Sequence, residues 1–346
     1  MTSVADGSIV GGVDTHKDLH VAAAVDGNGR IVGTGAFPAT AAGYRRLLRW
    51  LRGLGRVERV GVEGTGSYGS GLARHLAAAG VEVVEVDRPD RRLRRRRGKS
   101  DTVDAEAAAR AALSGTASGT PKARTGTAEM VRVLRVARRS ALKARTQAAN
   151  QLHALRDAAP TELRERLRPL RTAELLARAA RFRPGPLNSP TAATRAAMTA
   201  VARRHLALDA EIAGLDAELE RLLAAAAPDL LARHGVGVDT AGALLVAAGD
   251  NPHRLRSERS FAALCGVSPL DASSGRQRRH RLNRGGDRQA NNALWRIVLV
   301  RMSNDPRTRD YVARRTAEGR TKREIMRCLK RYVAREVYAE LRTLQL

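Results

Sequence analysis

An Asp26-Gly27-Asn28-Gly29 tetrapeptide set between two apolar runs, residues 19–25 and 30–36, commits the start of this chain to an antiparallel hairpin. Asn and Gly tolerate the positive φ that a tight hairpin turn demands. Before it, Ile9-Val10-Gly11-Gly12-Val13 reads as a buried strand that ends at Asp14. After it, Thr40 is placed to cap a helix through Leu51, with Tyr44, Leu47, Leu48 and Leu51 on one face. Residues 57–62 predict a strand ending at Glu63, residues 70–79 a helix stopped by Gly80, and residues 81–86 a further strand. The order β-β-β-α-β-α-β is that of an α/β domain with a mixed sheet.

Beyond this sheet the pattern changes to helices. Residues 99–113 predict an Ala-rich helix, and residues 114–121 are rich in Gly, Ser and Thr, as linkers are. Long helical stretches follow, broken at Pro160, Pro169 and Pro184-Gly185-Pro186. Leu206, Ile212, Leu215, Leu219 and Leu222 recur at helical spacing, as in a helical hairpin, a coiled coil or an ordinary bundle. Residues 230–245 read as helix, tight Gly turn, helix. The expected fold class is therefore α/β plus α. It comprises a mixed-sheet domain over 7–115, a central helical region over 126–226 and a mainly helical C-terminal domain over 228–346.

Charge narrows the partners. The chain of 346 residues carries a formal net charge of +27, and 56 of its 62 basic residues are Arg. Most of the Arg excess reads as GC-rich coding, but the total charge still calls for a polyanion. No apolar run approaches the roughly 18 residues that span a bilayer, and Met1 to Val10 lacks the basic start and apolar core of a signal peptide. Nucleic acid is thus the expected partner, without membrane, in a reducing cytoplasm. Cys265 and Cys328 stand far apart, with no zinc-ligand spacing around them. Two basic blocks suit a phosphate backbone. One holds Arg91, Arg92, Arg94, Arg95, Arg96, Arg97 and Lys99, and the other Arg276, Arg278, Arg279, Arg281, Arg284 and Arg288.

Four acids stand out against this basic background. Asp14 and Glu63 end strands, where α/β sites usually lie. Asp101 and Asp104, at i and i+3, share one face of the predicted helix. Carboxylates converging there would select a hard cation, Mg²⁺ or Mn²⁺. A metal pair so held clamps the attacking and leaving oxygens of a phosphodiester. Taken singly, Asp101 and Asp104 could equally serve the first turn of their helix. A nuclease that uses water would need the four acids and nothing more.

The residues around these acids also resemble a family. Gly12-Val13-Asp14-Thr15-His16-Lys17, Val62-Glu63-Gly64-Thr65-Gly66-Ser67-Tyr68-Gly69 and Lys99-Ser100-Asp101-Thr102-Val103-Asp104-Ala105 look like the signature of the insertion sequence 110 family of DEDD transposases. The resemblance implies a RuvC-like (RNase H-like) N-terminal domain whose metal site is formed by Asp14, Glu63, Asp101 and Asp104. Residues 261–292 are similar to the family's C-terminal transposase domain, in which a serine directly before glycine is the proposed nucleophile. Ser274 matches that place, with Ser273 adjacent. Without the resemblance, either serine is an ordinary turn residue.

By activity, the resemblance implies a Mg²⁺-dependent recombinase that cuts and rejoins double-stranded DNA through a serine–DNA link. It would act as a homodimer or homotetramer guided by a noncoding RNA. Two other classes remain open: a resolvase-like or RNase H-like nuclease using water, and a nucleic-acid binder without activity.

Overall fold

The computed structural model describes residues 7–86, 100–183, 185–276 and 280–344. The chain divides into two compact units, residues 1–126 with 248–256 and residues 127–247 with 257–346.

The first unit is built on one sheet. Its strands are β1 (Ser8–Thr15), β2 (Leu19–Asp26), β3 (Ile31–Pro38), β4 (Arg56–Glu63) and β5 (Glu82–Val86), in the order β3-β2-β1-β4-β5. β1, β2 and β3 pair antiparallel, while β4 lies parallel to both β1 and β5. The expected hairpin turn joins β2 to β3, where the Asp26 carboxylate accepts hydrogen bonds from the backbone N–H of Asn28 at 2.9 Å and of Arg30 at 2.8 Å. Helices α1 (Ala41–Leu54) and α2 (Ser70–Ala78) cover one face. Thr40 caps α1 by accepting from the Gly43 N–H at 3.1 Å. Ile9, Val13, Val60 and Val62 of the sheet bury against Leu47, Leu51, Leu72 and Leu76 of these helices. Each such side chain, fully removed from water, stabilises by about 1.5–3 kcal/mol.

Helix α3 (Asp101–Leu113) covers the opposite face. It starts two residues later than its sequence pattern predicts, because Ser100 is extended (φ −144°) and accepts the Val103 N–H at 3.3 Å. Strand alternation puts Val10, Gly12 and Asp14 on the α3 side. Val10 packs with Ala109 and Ala112, and a Cβ on Gly12 would lie 2.1 Å from the Ala109 nitrogen. Only glycine lets α3 lie this close to β1. The segment 248–256 completes the unit. There the Asn251 side chain accepts from the Ala123 N–H at 3.0 Å and donates to the Pro121 carbonyl at 3.0 Å.

His20, on β2, is fully buried with its ring stacked on Tyr44 at 5.6 Å. Burial pushes its pKa down, so the folded chain holds it neutral. Above about pH 6.5 the unfolded chain is neutral there too and nothing is lost. As pH falls below that value, the unfolded state gains a proton that the folded state does not, and stability drops by up to about 1.4 kcal/mol per pH unit. His20→Phe keeps the ring and is expected to flatten this acid limb in urea melts between pH 7 and 5. An unchanged slope would remove His20 as its source.

The second unit is helical. Its long helices α4 (Thr127–Asp157) and α7 (Pro190–Ala226) run antiparallel. Arg138 pairs with Asp216, Arg145 with Asp209, and Arg204 donates to Gln151 at 2.7 Å. Short helices α5 (Thr161–Leu167) and α6 (Thr172–Ala180) close over Leu152, Met198 and Ala202. Next come α8 (Pro228–Ala232), a turn at Gly235 and α9 (Val238–Ala248). After α10 (Glu258–Leu264), the two-residue strands β6 (Leu270–Asp271) and β7 (His280–Arg281) pair antiparallel. The unit ends with α11 (Arg288–Asn304), α12 (Pro306–Ala317) and α13 (Lys322–Thr343). Among the described residues, no helix is long and apolar enough to cross a membrane.

Candidate metal centre

The site forms where β1 ends, β4 ends and α3 begins. Val13 stands level with Val62 across the parallel β1–β4 pair, so the next residues, Asp14 and Glu63, leave the sheet side by side. Val62 faces α1 and α2, which turns Glu63 toward α3, as Asp14 is. The Thr15 hydroxyl donates to the Glu63 carbonyl at 2.8 Å and ties the two strand ends together. Gly64 then leaves β4 at φ +67°, a left-handed turn that carries the chain off the rim.

Asp14 is buried, with 7% of its surface exposed. Burial is the main cause that pushes its carboxyl above the usual pKa; the charge of His16 opposes this, and the charges of Asp104 and Asp101 add to it. The first turn of α3 therefore brings its acids to the end of β1. Asp104 is buried at 3% exposure, whereas Asp101 is exposed. His16 sits between two of the carboxylates, its Nε2 3.2 Å from Asp14 Oδ2 and 3.3 Å from Asp101 Oδ1. Asp14, His16 and Asp101 each offer a ligand atom within 4.8 Å of the others. Glu63 is half-buried and stands outside that triad, at the neighbouring strand end.

The arrangement has a buried floor, Asp14 and Asp104, and an open lip, Asp101 and His16. Burial disfavours the charged form of Asp14, and a hard divalent cation would relieve that cost. Sequence reasoning gave His16 no role. Its signal was its place two residues after Asp14 at a strand end, since residues i and i+2 leave a strand on the same side.

Ser274 lies in the second unit, exposed and directly before Gly275 (φ 56°). The Asp271 carboxylate accepts from the Ser273 N–H at 2.9 Å and also takes the Ser273 hydroxyl as donor. These two bonds hold the Asp271 carboxyl below the usual range. Ser273 is thus spent on its own turn. Of the basic residues of the two sequence blocks, Arg276, Arg281, Arg284 and Arg288 are exposed or half-exposed. Arg91, Arg92, Arg94, Arg95, Arg96, Arg97, Lys99, Arg278 and Arg279 lie outside the described residues.

Comparison with known proteins agrees with these motifs. Residues 11–159 match a family model described as a transposase of the DEDD type of IS110, and residues 228–313 match the model of the transposase IS116/IS110/IS902 family. Together the two models cover more than half of the chain. The chain belongs to the IS110 family of transposases. An IS110-family relative, the insertion element IS110 uncharacterized 43.6 kDa protein of Streptomyces coelicolor, is 32% identical over 159 residues. The match spans 46% of this chain and 38% of that protein. The first matched stretch of this chain includes all four acids, and the second includes both serines.

Proposed function

We propose that this IS110-family chain is a divalent-metal-dependent transposase that cuts and rejoins DNA strands through a covalent link to Ser274. The observation that carries the reading is the meeting of Asp14, Asp101 and Asp104 at the end of β1, with Asp14 and Asp104 buried. The sheet order, with its antiparallel β1–β3 and parallel β1–β4–β5, supports a RuvC-like domain. Carboxylates of Asp14, Glu63, Asp101 and Asp104 would hold Mg²⁺ or Mn²⁺. The metal's chemistry is to polarise the scissile phosphate and neutralise its charge. The open lip at Asp101 and His16 leaves the phosphate a way in.

At the serine, the Ser274 Oγ–phosphorus bond forms as the bond from phosphorus to the 3′-oxygen breaks. The serine proton is lost to a base, and the leaving 3′-oxygen gains one. A 3′-hydroxyl of a second strand then displaces Ser274 in the reverse sense. One phosphodiester is made for each one broken, so no nucleotide triphosphate is needed. The family resemblance adds double-stranded element ends and target as substrates, a noncoding guide RNA, and assembly as a homodimer or homotetramer.

The engagement of Ser273 by Asp271 supports Ser274 as the nucleophile. Incubation with element-end DNA, guide RNA and Mg²⁺ is expected to give a protein–DNA adduct that survives denaturation. Ser274→Ala should abolish the adduct, while Ser273→Ala retains it. Metal-dependent cleavage with no adduct in the wild-type chain would instead establish a nuclease that uses water.

A further inference from the structure

Within the second unit a cleft of about 450 Å³ opens between α4, α9 and α11. Arg135, Arg138 and Arg139 line it from α4, and Arg288 and Arg296 from α11. Helical spacing makes both walls: positions 135, 138 and 139 fall on one face of α4, and 288, 292 and 296 on one face of α11. Asp239, in the first turn of α9, lies between them.

This carboxylate is shared. Arg135 donates to its Oδ1 at 2.7 Å, Arg296 to its Oδ2 at 2.6 Å, and Arg138 lies 3.7 Å from Oδ1 while also pairing with Asp216. Burial works against the Asp239 charge, yet Arg135 and Arg296 hold its pKa below the usual range. Two carboxylates thus organise three guanidiniums into fixed positions. Arg139 and Arg288 are not needed for that network and make no ion pair with a described residue.

Five guanidiniums against two carboxylates leave an excess of three positive charges around one cleft. Such crowding is costly unless an anion fills it. Pockets for small molecules are mostly apolar with a few polar groups. This one is charged along both walls, and Gln289 and Asn292 also line it from α11. Fixed Arg forks and neighbouring amides match the oxygens of a phosphodiester chain.

We propose that this cleft is a binding site for a nucleic-acid backbone, in which Arg139 and Arg288 take phosphates and the Asp239 network holds the wall. The proposal rests on the chain acting on nucleic acid, and it joins Arg288 of the second basic block to Arg139 in a cleft apart from the acid centre and from Ser274. The test is binding of a single-stranded RNA and of a duplex DNA, each measured against salt. Arg139→Glu/Arg288→Glu is compared with the charge-matched pair Arg166→Glu/Arg168→Glu at the exposed end of α5.

Two lost phosphate contacts should weaken binding by about 10-fold or more and lower the salt slope by about 1.4 on single strands or 1.8 on duplex. A loss on RNA alone, on DNA alone or on both identifies the strand held. Arg139→Gln/Arg288→Gln should give a smaller loss of the same kind if the reversed charges disturb folding. Losses no greater than those of the α5 pair would overturn the site. The adduct test at Ser274 is separate, so a chain that forms no adduct but loses affinity at the cleft keeps this proposal and loses the other.

Discussion

An Asp14→Asn chain is expected to lose metal-dependent DNA cleavage by about 1,000-fold or more, about 4 kcal/mol of barrier. The reason lies in the burial of Asp14 beside Asp101 and Asp104. Removing its charge takes away the buried carboxylate that the proposed metal site needs, and the exposed Asp101 cannot replace it. The same burial makes a second outcome, readable without any substrate. The raised pKa of Asp14 means that its protonated form favours the fold, and that contribution is lost as pH rises from the unfolded value through the folded one. At neutral pH and without metal, Asp14→Asn should therefore melt a few degrees above the wild-type chain. Saturating Mg²⁺ or Mn²⁺ should invert the order, because only the wild type gains binding free energy, about 2.7 kcal/mol at 100 times the dissociation constant. Equal metal-induced shifts in the two chains would place the cation elsewhere.

Gly12→Ala should act on the fold itself. The new methyl would stand 2.1 Å from the Ala109 nitrogen, 2.3 Å from the Ala105 carbonyl oxygen and 2.6 Å from the Ala109 Cα. All three are backbone atoms of α3, so no side chain can swing aside. Relief requires α3 to lift from β1, which opens the layer holding Val10, Ala109 and Ala112. A loss of about 3 kcal/mol or more in urea unfolding is expected. Because the first turn of α3 carries Asp101 and Asp104, any fraction that still folds should also show a blunted metal shift. A change within about 1 kcal/mol would contradict the close approach.

These two positions also mark what was legible in the sequence. Asp14 and Glu63 could be read because an apolar strand pattern stops at each, and strand ends sit at the rim of a sheet. The faces of α1 followed from the spacing of Leu47, Leu48 and Leu51. The start of α3 was displaced by two residues because Lys99 and Ser100 carry no apolar signal, while the hydroxyl of Ser100 decides the first turn. His16 escaped for a different reason. Its spacing two residues after Asp14 hints at the Asp14 contact, but its place against Asp101 depends on how the end of β1 meets the start of α3, which that spacing does not encode. β6 and β7 are two residues each, too short for alternation to show. The cleft of α4, α9 and α11 joins residues more than a hundred positions apart in the chain.

The segment 248–256 has a consequence for how this chain can be taken apart. Its Asn251 satisfies backbone groups at Pro121 and Ala123, yet it is encoded after the whole pair of long helices. A gene cut after residue 126 leaves those groups without their partner, and a proteolytic nick there would not free the sheet as a finished piece. The first unit is therefore not a cassette. A chimera that exchanges it must carry the distant segment along with it, or inherit a unit whose backbone groups at Pro121 and Ala123 must find their partner in another protein.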